Sequence, residues 1–162
     1  MFKVSFKSSK DSSFRRVEKF NDKVTIVTIR GELKLPVWWH GLPLNLKNSF
    51  SKNNVDIKTS LPLGSVIYII AKGKAKRCDE DIDNPKLAEK IAEVRALIKI
   101  YELLEKVTSK IVTHYFKRLY GDTTIRKIGY KNNSDSVYEV HQKYKSLLIK
   151  ESHYLGELLK EA

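Results

Sequence analysis

The chain has 162 residues, a formal net charge of +12 and an apolar content of 41%. The length fits a single domain, and the apolar content is sufficient for a hydrophobic core, which excludes a disordered tail. So large a positive charge is typical of proteins that bind polyanions.

The cysteine and hydropathy patterns indicate the compartment. Cys78 is the single cysteine, so an internal disulfide is excluded and a reducing compartment is favoured. The longest apolar run, Val66–Ala71, is far too short to span a bilayer. We therefore expect a cytoplasmic protein with no membrane partner.

The first half of the chain predicts strands. The segment MFKVSFK alternates with a period of two, and FRRVEKF and KVTIVTIRGEL flank Asn21 and Asp22 as the arms of a β-hairpin. Prolines and polar residues between Lys34 and Leu63 predict a long irregular excursion, with VDIKT as a short edge strand. GSVIYIIAKGKAK then predicts one more strand.

From Asn84 onward the apolar period is that of a helix. Asn84 is a suitable N-cap and Pro85 a suitable first residue, so we predict a helix that ends at Gly121. The residues SVYE, from Ser136, have the spacing of a capping box and predict a second helix over residues 136–160.

These elements predict an α+β fold, with an N-terminal antiparallel β-sheet followed by two long amphipathic α-helices. Residues 1–120 form the sheet and the long helix in this prediction. Residues 121–162 form a connector and a C-terminal helix packed on that unit, within one domain.

An abrupt change of charge sign precedes the first long helix. Four cations end the predicted strand, and the acidic run Asp79–Asp83 follows at once. This run has two interpretations, a Mg²⁺ site or carboxylates placed where a helix macrodipole favours negative charge. We favour the second, because carboxylates crowded along the chain need not converge on one ion.

The first long helix carries a basic stripe. Its members are spaced by 4, 7, 4 and 7 residues, which places them along one line opposite the apolar face. At about 1.5 Å per residue the stripe is roughly 33 Å long, so it can neutralise phosphates along nucleic acid. A lysine-rich solvated face is the alternative interpretation. The residues are Arg95, Lys99, Lys106, Lys110 and Lys117.

Other candidate binding residues lie on the strand, in the excursion and in the connector. Lys72, Lys74 and Lys76 share one strand face, where they either extend the basic surface or protect an exposed strand end. The adjacent tryptophans of the excursion have two interpretations: they form a small core that pins this segment, which we favour, or one packs while the other stacks on a base or anchors a protein partner. The connector either binds phosphate or is an ordinary solvated loop. The residues are Trp38, Trp39, Arg126, Lys127 and Lys131.

Motifs of catalysis are missing from the sequence. It contains no phosphate-binding glycine-rich motif, no G-x-S-x-G and no H-E-x-x-H. The four histidines and Cys78 lack the spacing of a zinc site. We therefore expect a protein that is not an enzyme and needs no metal or other cofactor, with a metal-dependent nuclease as the minority interpretation.

A short segment carries a resemblance. A strand ending in G-x-A, an acidic turn and a helix with A-x-x-R-A occupy residues 71–100, through Gly73, Ala75, Asp79, Glu80, Asp81, Ala92, Arg95 and Ala96. This segment resembles one found in small uncharacterised proteins of phages and prophages of Gram-positive bacteria. The resemblance covers under a fifth of the chain and implies a mobile-element origin. Some such proteins are accessory DNA-binding factors, and others, including anti-CRISPR proteins, inhibit host defence.

Two functions follow as hypotheses. The first is a non-catalytic accessory protein of a phage or mobile element, in the cytoplasm of an infected host, that binds DNA or RNA or a host nucleoprotein complex. The second is a protein-directed inhibitor of a host defence complex, such as an RNA-guided nuclease. The sequence does not separate DNA from RNA and leaves the oligomeric state open.

Overall fold

The strands and helices follow the predicted order along the chain. The computed structural model describes residues 3–5, 15–20, 23–34, 39, 42–47, 56–59, 66–77, 84–121 and 126–162. The strands in this part are β1 (Lys3–Ser5), β2 (Arg15–Phe20), β3 (Val24–Lys34), β4 (Asp56–Thr59) and β5 (Val66–Lys76). The helices are α1 (Leu44–Lys47), α2 (Pro85–Gly121) and α3 (Arg126–Glu161).

The strands form one antiparallel sheet around β3. Its order is β1-β3-β5-β4, and β2 also pairs with β3. β2 and β3 are the arms of the predicted hairpin, with Phe20 opposite Val24. β4 pairs with β5 only from Ile67 to Ile70. Among the described strands, therefore, none covers that edge of β5 over residues 71–76, and we call this stretch the open edge.

The two faces of the sheet differ as the period-two pattern predicts. The helix face is buried and carries Val27, Ile29 and Leu33 from β3 with Ile69, Ala71, Gly73 and Ala75 from β5. The alternate residues point the other way, and those whose side chains are described are exposed or half-buried; we call this side the outer face. Apolar side chains therefore hold α2 on one side only.

Helix α2 begins as its sequence predicts. The Leu87 N–H donates to Asn84 Oδ1 at 3.0 Å, and Pro85 is the first helical residue. The helix lies so close to β5 that a Cβ added to Gly73 would stand 1.7 Å from the Ala92 carbonyl oxygen. The small residues of β5 thus allow direct backbone contact between sheet and helix.

Helix α3 packs antiparallel on α2. The rings of Tyr101 and Tyr144 stack with centroids 6.5 Å apart, and Val137 and Leu158 are buried. Burial, together with the charge of Glu151, raises the pKa of Tyr101. α2 contacts both the sheet and α3 and is therefore buried over a broad arc, although its Phe116 is exposed.

The structure confirms the predicted α+β class and corrects one boundary. α3 begins at Arg126 rather than at Ser136, so the connector residues 126–135 are helical. Extending a formed helix requires less ordering than nucleating one, which is why a segment with glycine and two asparagines joins it. The predicted capping box lies inside α3 and caps nothing.

Candidate nucleic-acid interface

The three β5 lysines lie on the outer face. Lys72, Lys74 and Lys76 alternate with the buried small residues of β5, and all three side chains are exposed. At about 3.4 Å per residue, neighbouring lysines on the same face are ~6.8 Å apart. β5 therefore presents a row of ammonium groups at regular intervals.

A contrasting arrangement is found on the helix face. Arg15 of β2 donates from Nη2 to Glu89 Oε1 at 2.5 Å and to Glu93 Oε2 at 3.1 Å. The hydrogen bond to Glu89 is the main cause that raises the pKa of Arg15. Arg15, which faces α2, is thus neutralised by two acids of that helix. Sequence analysis missed this contact, because its partners are more than seventy residues apart.

Two members of the predicted stripe contact the sheet. Arg95 Nη1 donates to the Lys74 carbonyl oxygen at 2.6 Å, and Lys99 Nζ donates to the Lys72 carbonyl oxygen at 2.6 Å. Both bonds satisfy backbone acceptors at the open edge, which an unpaired strand otherwise leaves bare. The prediction that the whole stripe points away from the packed side of α2 is therefore wrong for Arg95 and Lys99.

The remaining members of the stripe are exposed. Lys106, Lys110 and Lys117 continue along α2 beyond its contacts with the open edge. Within the described part of the chain, none of these three, nor any β5 lysine on the outer face, has a carboxylate partner within ion-pair distance. Nearby, burial and the charge of Arg118 lower the pKa of His114.

The two sets of cations meet at the open edge. Lys72, Lys74 and Lys76 project from β5 on the outer face, while Arg95 and Lys99 reach the same strand from α2. We call the combined set the basic surface; it consists of Lys72, Lys74, Lys76, Arg95, Lys99, Lys106, Lys110 and Lys117.

The outer face also carries aromatic rings that sequence analysis did not single out. The Arg30 guanidinium lies over the Tyr68 ring, 3.9 Å from its centroid. Phe20, at the hairpin end of the same face, is 50% exposed. Strand parity places both rings beside the lysine row, so the alternation of β2 and β5 was the signal from which they could have been found.

The tryptophan and connector candidates lie apart from this surface or outside the described residues. Trp39 is only 4% exposed and belongs to the core, so it is not available as an exposed anchor; this corrects its assignment as a binding residue. Trp38 falls outside the described residues. Lys131 is exposed on α3, whereas the side chains of Arg126 and Lys127 are outside the described part.

A polar cluster joins α2 to α3. Thr108 Oγ1 donates to the Leu104 carbonyl oxygen at 2.7 Å, so its oxygen is left to accept from His141 Nδ1 at 3.1 Å. His141 Nε2 lies 3.8 Å from Glu105 Oε1. The cluster sits within the helix pair and contributes to its register.

The described residues contain neither a metal-binding cluster nor a membrane-spanning helix. No three of their His, Cys, Asp or Glu side chains are placed to share a metal ion; residues 79–83 lie outside them. Nor does any described helix contain a stretch apolar enough to cross a membrane.

Comparison with known proteins adds no relative. No family model, curated protein or solved structure matches the chain. Its function has therefore to be inferred from the chemistry of its surface.

Proposed function

We propose that this protein is a non-catalytic binder of nucleic acid, or of a nucleic-acid-loaded complex, through the basic surface. One observation carries the proposal. The outer-face lysines of β5 and the stripe cations of α2 meet at the open edge, where Arg95 and Lys99 bond to the carbonyls of Lys74 and Lys72. Cations grouped in this way attract phosphates and release their counterions on binding.

The distribution of acids supports the same function. Glu89 and Glu93 neutralise Arg15 on the helix face, whereas the exposed lysines of the basic surface lack such partners among the described residues. A face evolved only for solubility normally mixes both signs of charge. Segregated positive charge suits a polyanionic ligand.

The cellular setting is part of the proposal. The resemblance of residues 71–100 to phage and prophage proteins favours an accessory role in the cytoplasm of an infected bacterium. Inhibition of a host defence complex is the alternative function, and it would use the same cations against acidic protein or against a phosphate-binding site. This alternative invoked Trp38 or Trp39 as an anchor; Trp39 is buried, which leaves Trp38, outside the described residues, as the candidate.

The test compares two charge-matched variants in direct binding to DNA and RNA. The first replaces Lys72, Lys74, Lys106 and Lys110 by Gln. The second replaces four exposed lysines of α3, Lys143, Lys145, Lys150 and Lys160, and therefore has the same net charge. We expect the first to lose about tenfold or more in affinity at moderate salt and the second to change little.

The outcomes separate the alternatives. Equal losses in both variants would mean that net charge alone attracts the ligand, and the basic surface would then have no special role. If the parent protein binds no DNA or RNA, free or in a nucleoprotein, but is captured by an acidic protein in a variant-sensitive way, the inhibitor function replaces the proposed one.

A further inference from the structure

We infer that the outer face of the sheet binds single-stranded nucleic acid, with unpaired bases on the sheet and phosphates along the β5 lysines. The inference rests on the proposed function and specifies its ligand. The feature that supports it is the combination, on one face, of an apolar strip, two aromatic rings and a row of cations.

The apolar strip comes from the central strand. Val24, Ile26 and Thr28 of β3 alternate with the buried helix-face residues and remain half-buried. They lie opposite Lys76, Lys74 and Lys72 in the register of β3 with β5. A ligand on this face would therefore meet apolar surface on β3 and ammonium groups one strand away.

One aromatic ring stands at one end of the strip, and a second lies four residues beyond the other end. Phe20 is opposite Val24 in the β2–β3 register, and Tyr68 lies eight residues before Lys76 on β5, a separation of about 27 Å along the strand. Arg30 holds its guanidinium over the Tyr68 ring at 3.9 Å. Bases stack both on aromatic rings and on guanidinium planes.

Charge complementarity predicts on which side of the sheet's outer face the phosphates of the ligand lie. Lys72, Lys74 and Lys76 recur at ~6.8 Å, an interval comparable with the spacing of phosphates along an extended single strand. On the β2 side the charges are balanced, because Arg16 pairs with Glu18 at 2.9 Å. The backbone of the ligand should therefore follow β5 and its bases should point toward β3.

The same features distinguish single strands from duplexes. In a duplex the base faces are stacked inside, so the strip, the exposed Phe20 ring and the Arg30 guanidinium over the half-buried Tyr68 have no base face to contact, and only the lysines contribute. In a single strand the base faces are available, and stacking on an aromatic side chain is worth about 1–3 kcal/mol per base. The sheet should consequently prefer unpaired DNA or RNA.

The experiment measures affinity for an oligothymidine, an oligouridine and a duplex of equal length. The variants are Phe20→Leu and Tyr68→Leu, which keep an apolar side chain on the strand. The control is Tyr138→Leu, since Tyr138 is an equally exposed ring, 50%, on α3. The expected losses are about 5- to 100-fold on single strands, with duplex affinity and the control unchanged. Crosslinks from iodouridine strands should map to β2, β3 or β5.

Each result bears on the inference in a different way. A single-strand-specific loss with crosslinks on the sheet supports it, and the oligothymidine and oligouridine arms report which sugar is preferred. Unchanged affinity in both variants, or equal losses on duplex and single strand, overturns the inference while the proposed function stands. Failure of the parent to bind the free strands overturns the inference, and failure to bind a nucleoprotein as well overturns the proposed function too.

Discussion

At the scale of single residues, Gly73 shows how closely the helix and the sheet approach. A Cβ at this position would meet the Ala92 carbonyl oxygen at 1.7 Å and the Ala96 nitrogen at 2.6 Å, and both are backbone atoms. Neither can yield by a change of rotamer. Any larger residue must therefore move α2 away from β5 and loosen the contacts around it.

The substitution Gly73→Ala should lower the free energy of unfolding by about 1–3 kcal/mol, because overpacking forces the backbone to shift. Gly156→Ala is the matched control, since a Cβ there meets nothing within 4 Å. Alanine also has a helix propensity about 1 kcal/mol better than glycine, so this control should be stabilised. Urea unfolding measures both variants. A neutral Gly73→Ala would show that the helix and the sheet are less closely packed than the structure indicates.

Residue type alone did not reveal which cations are internal. Arg15 and Arg16 are neighbours in sequence, yet Arg15 bonds to Glu89 and Glu93 while Arg16 projects from the outer face with a 75% exposed side chain. Strand alternation predicts that they point in opposite directions. It does not predict which acids of α2 lie within reach, since that depends on how the helix crosses the sheet.

At the scale of elements, the sequence predicted those with strong local signals. The hairpin, the alternation of β5 and the start of α2 are local patterns, of period two or of capping, and the structure agrees with them. The predicted start of α3 was wrong. Residues 126–135 contain weak helix formers, and they are helical because they extend a helix that is already formed. The contacts of Arg95 and Lys99 with β5 were also beyond a helical-wheel argument, which places no strand beside the helix.

The α2–α3 pair allows a test of its polar cluster. Thr108→Val should destabilise the protein by about 1–2 kcal/mol, because His141 Nδ1 then loses its partner inside the helix pair. Thr113→Val is the control, since Thr113 makes the same type of bond to a carbonyl four residues earlier but is exposed on α2. It should change stability by less than about 0.5 kcal/mol. Equal effects of the two substitutions in thermal or urea unfolding would mean that the loss of stability comes from the hydrogen bond to the helix carbonyl and that the contact with His141 adds nothing.

The bonds at the open edge allow a second test of element packing. Replacing Arg95 and Lys99 by Met keeps their apolar stems but removes the donors to Lys74 and Lys72. The expected loss is about 1–2 kcal/mol for the pair, since charged donors to backbone acceptors are lost. The same change at Lys106 and Lys110, which are exposed, should cost less than about 0.5 kcal/mol. If the two double variants unfold alike, the stripe is uniform and its contacts with β5 add nothing to stability.

At the scale of the whole molecule, the basic surface has two parts, which the proposed ligand should meet in succession. The β5 lysines lie beside the strip of the outer face, and Lys110 lies about 16 Å beyond Lys99 along α2. A short ligand held on the strip should reach only the first part. A long ligand should reach both, so the length of a ligand decides which lysines contribute to its affinity.

This division predicts how the salt dependence of binding varies with ligand length. For single strands the slope of log affinity against log salt is about −0.7 per phosphate neutralised. Replacing Lys106 and Lys110 by Gln should therefore flatten the slope by about 1.4 for a strand of about 20 nucleotides and leave it unchanged for one of about five. Replacing Lys72 and Lys74 by Gln should flatten it for both lengths, because every bound strand meets β5.

The α3 pair Lys143 and Lys150, changed in the same way, should leave both slopes as they are. Length-independent effects of Lys106 and Lys110 would instead place the ligand across α2 from the start, and the sheet would then not be the first contact.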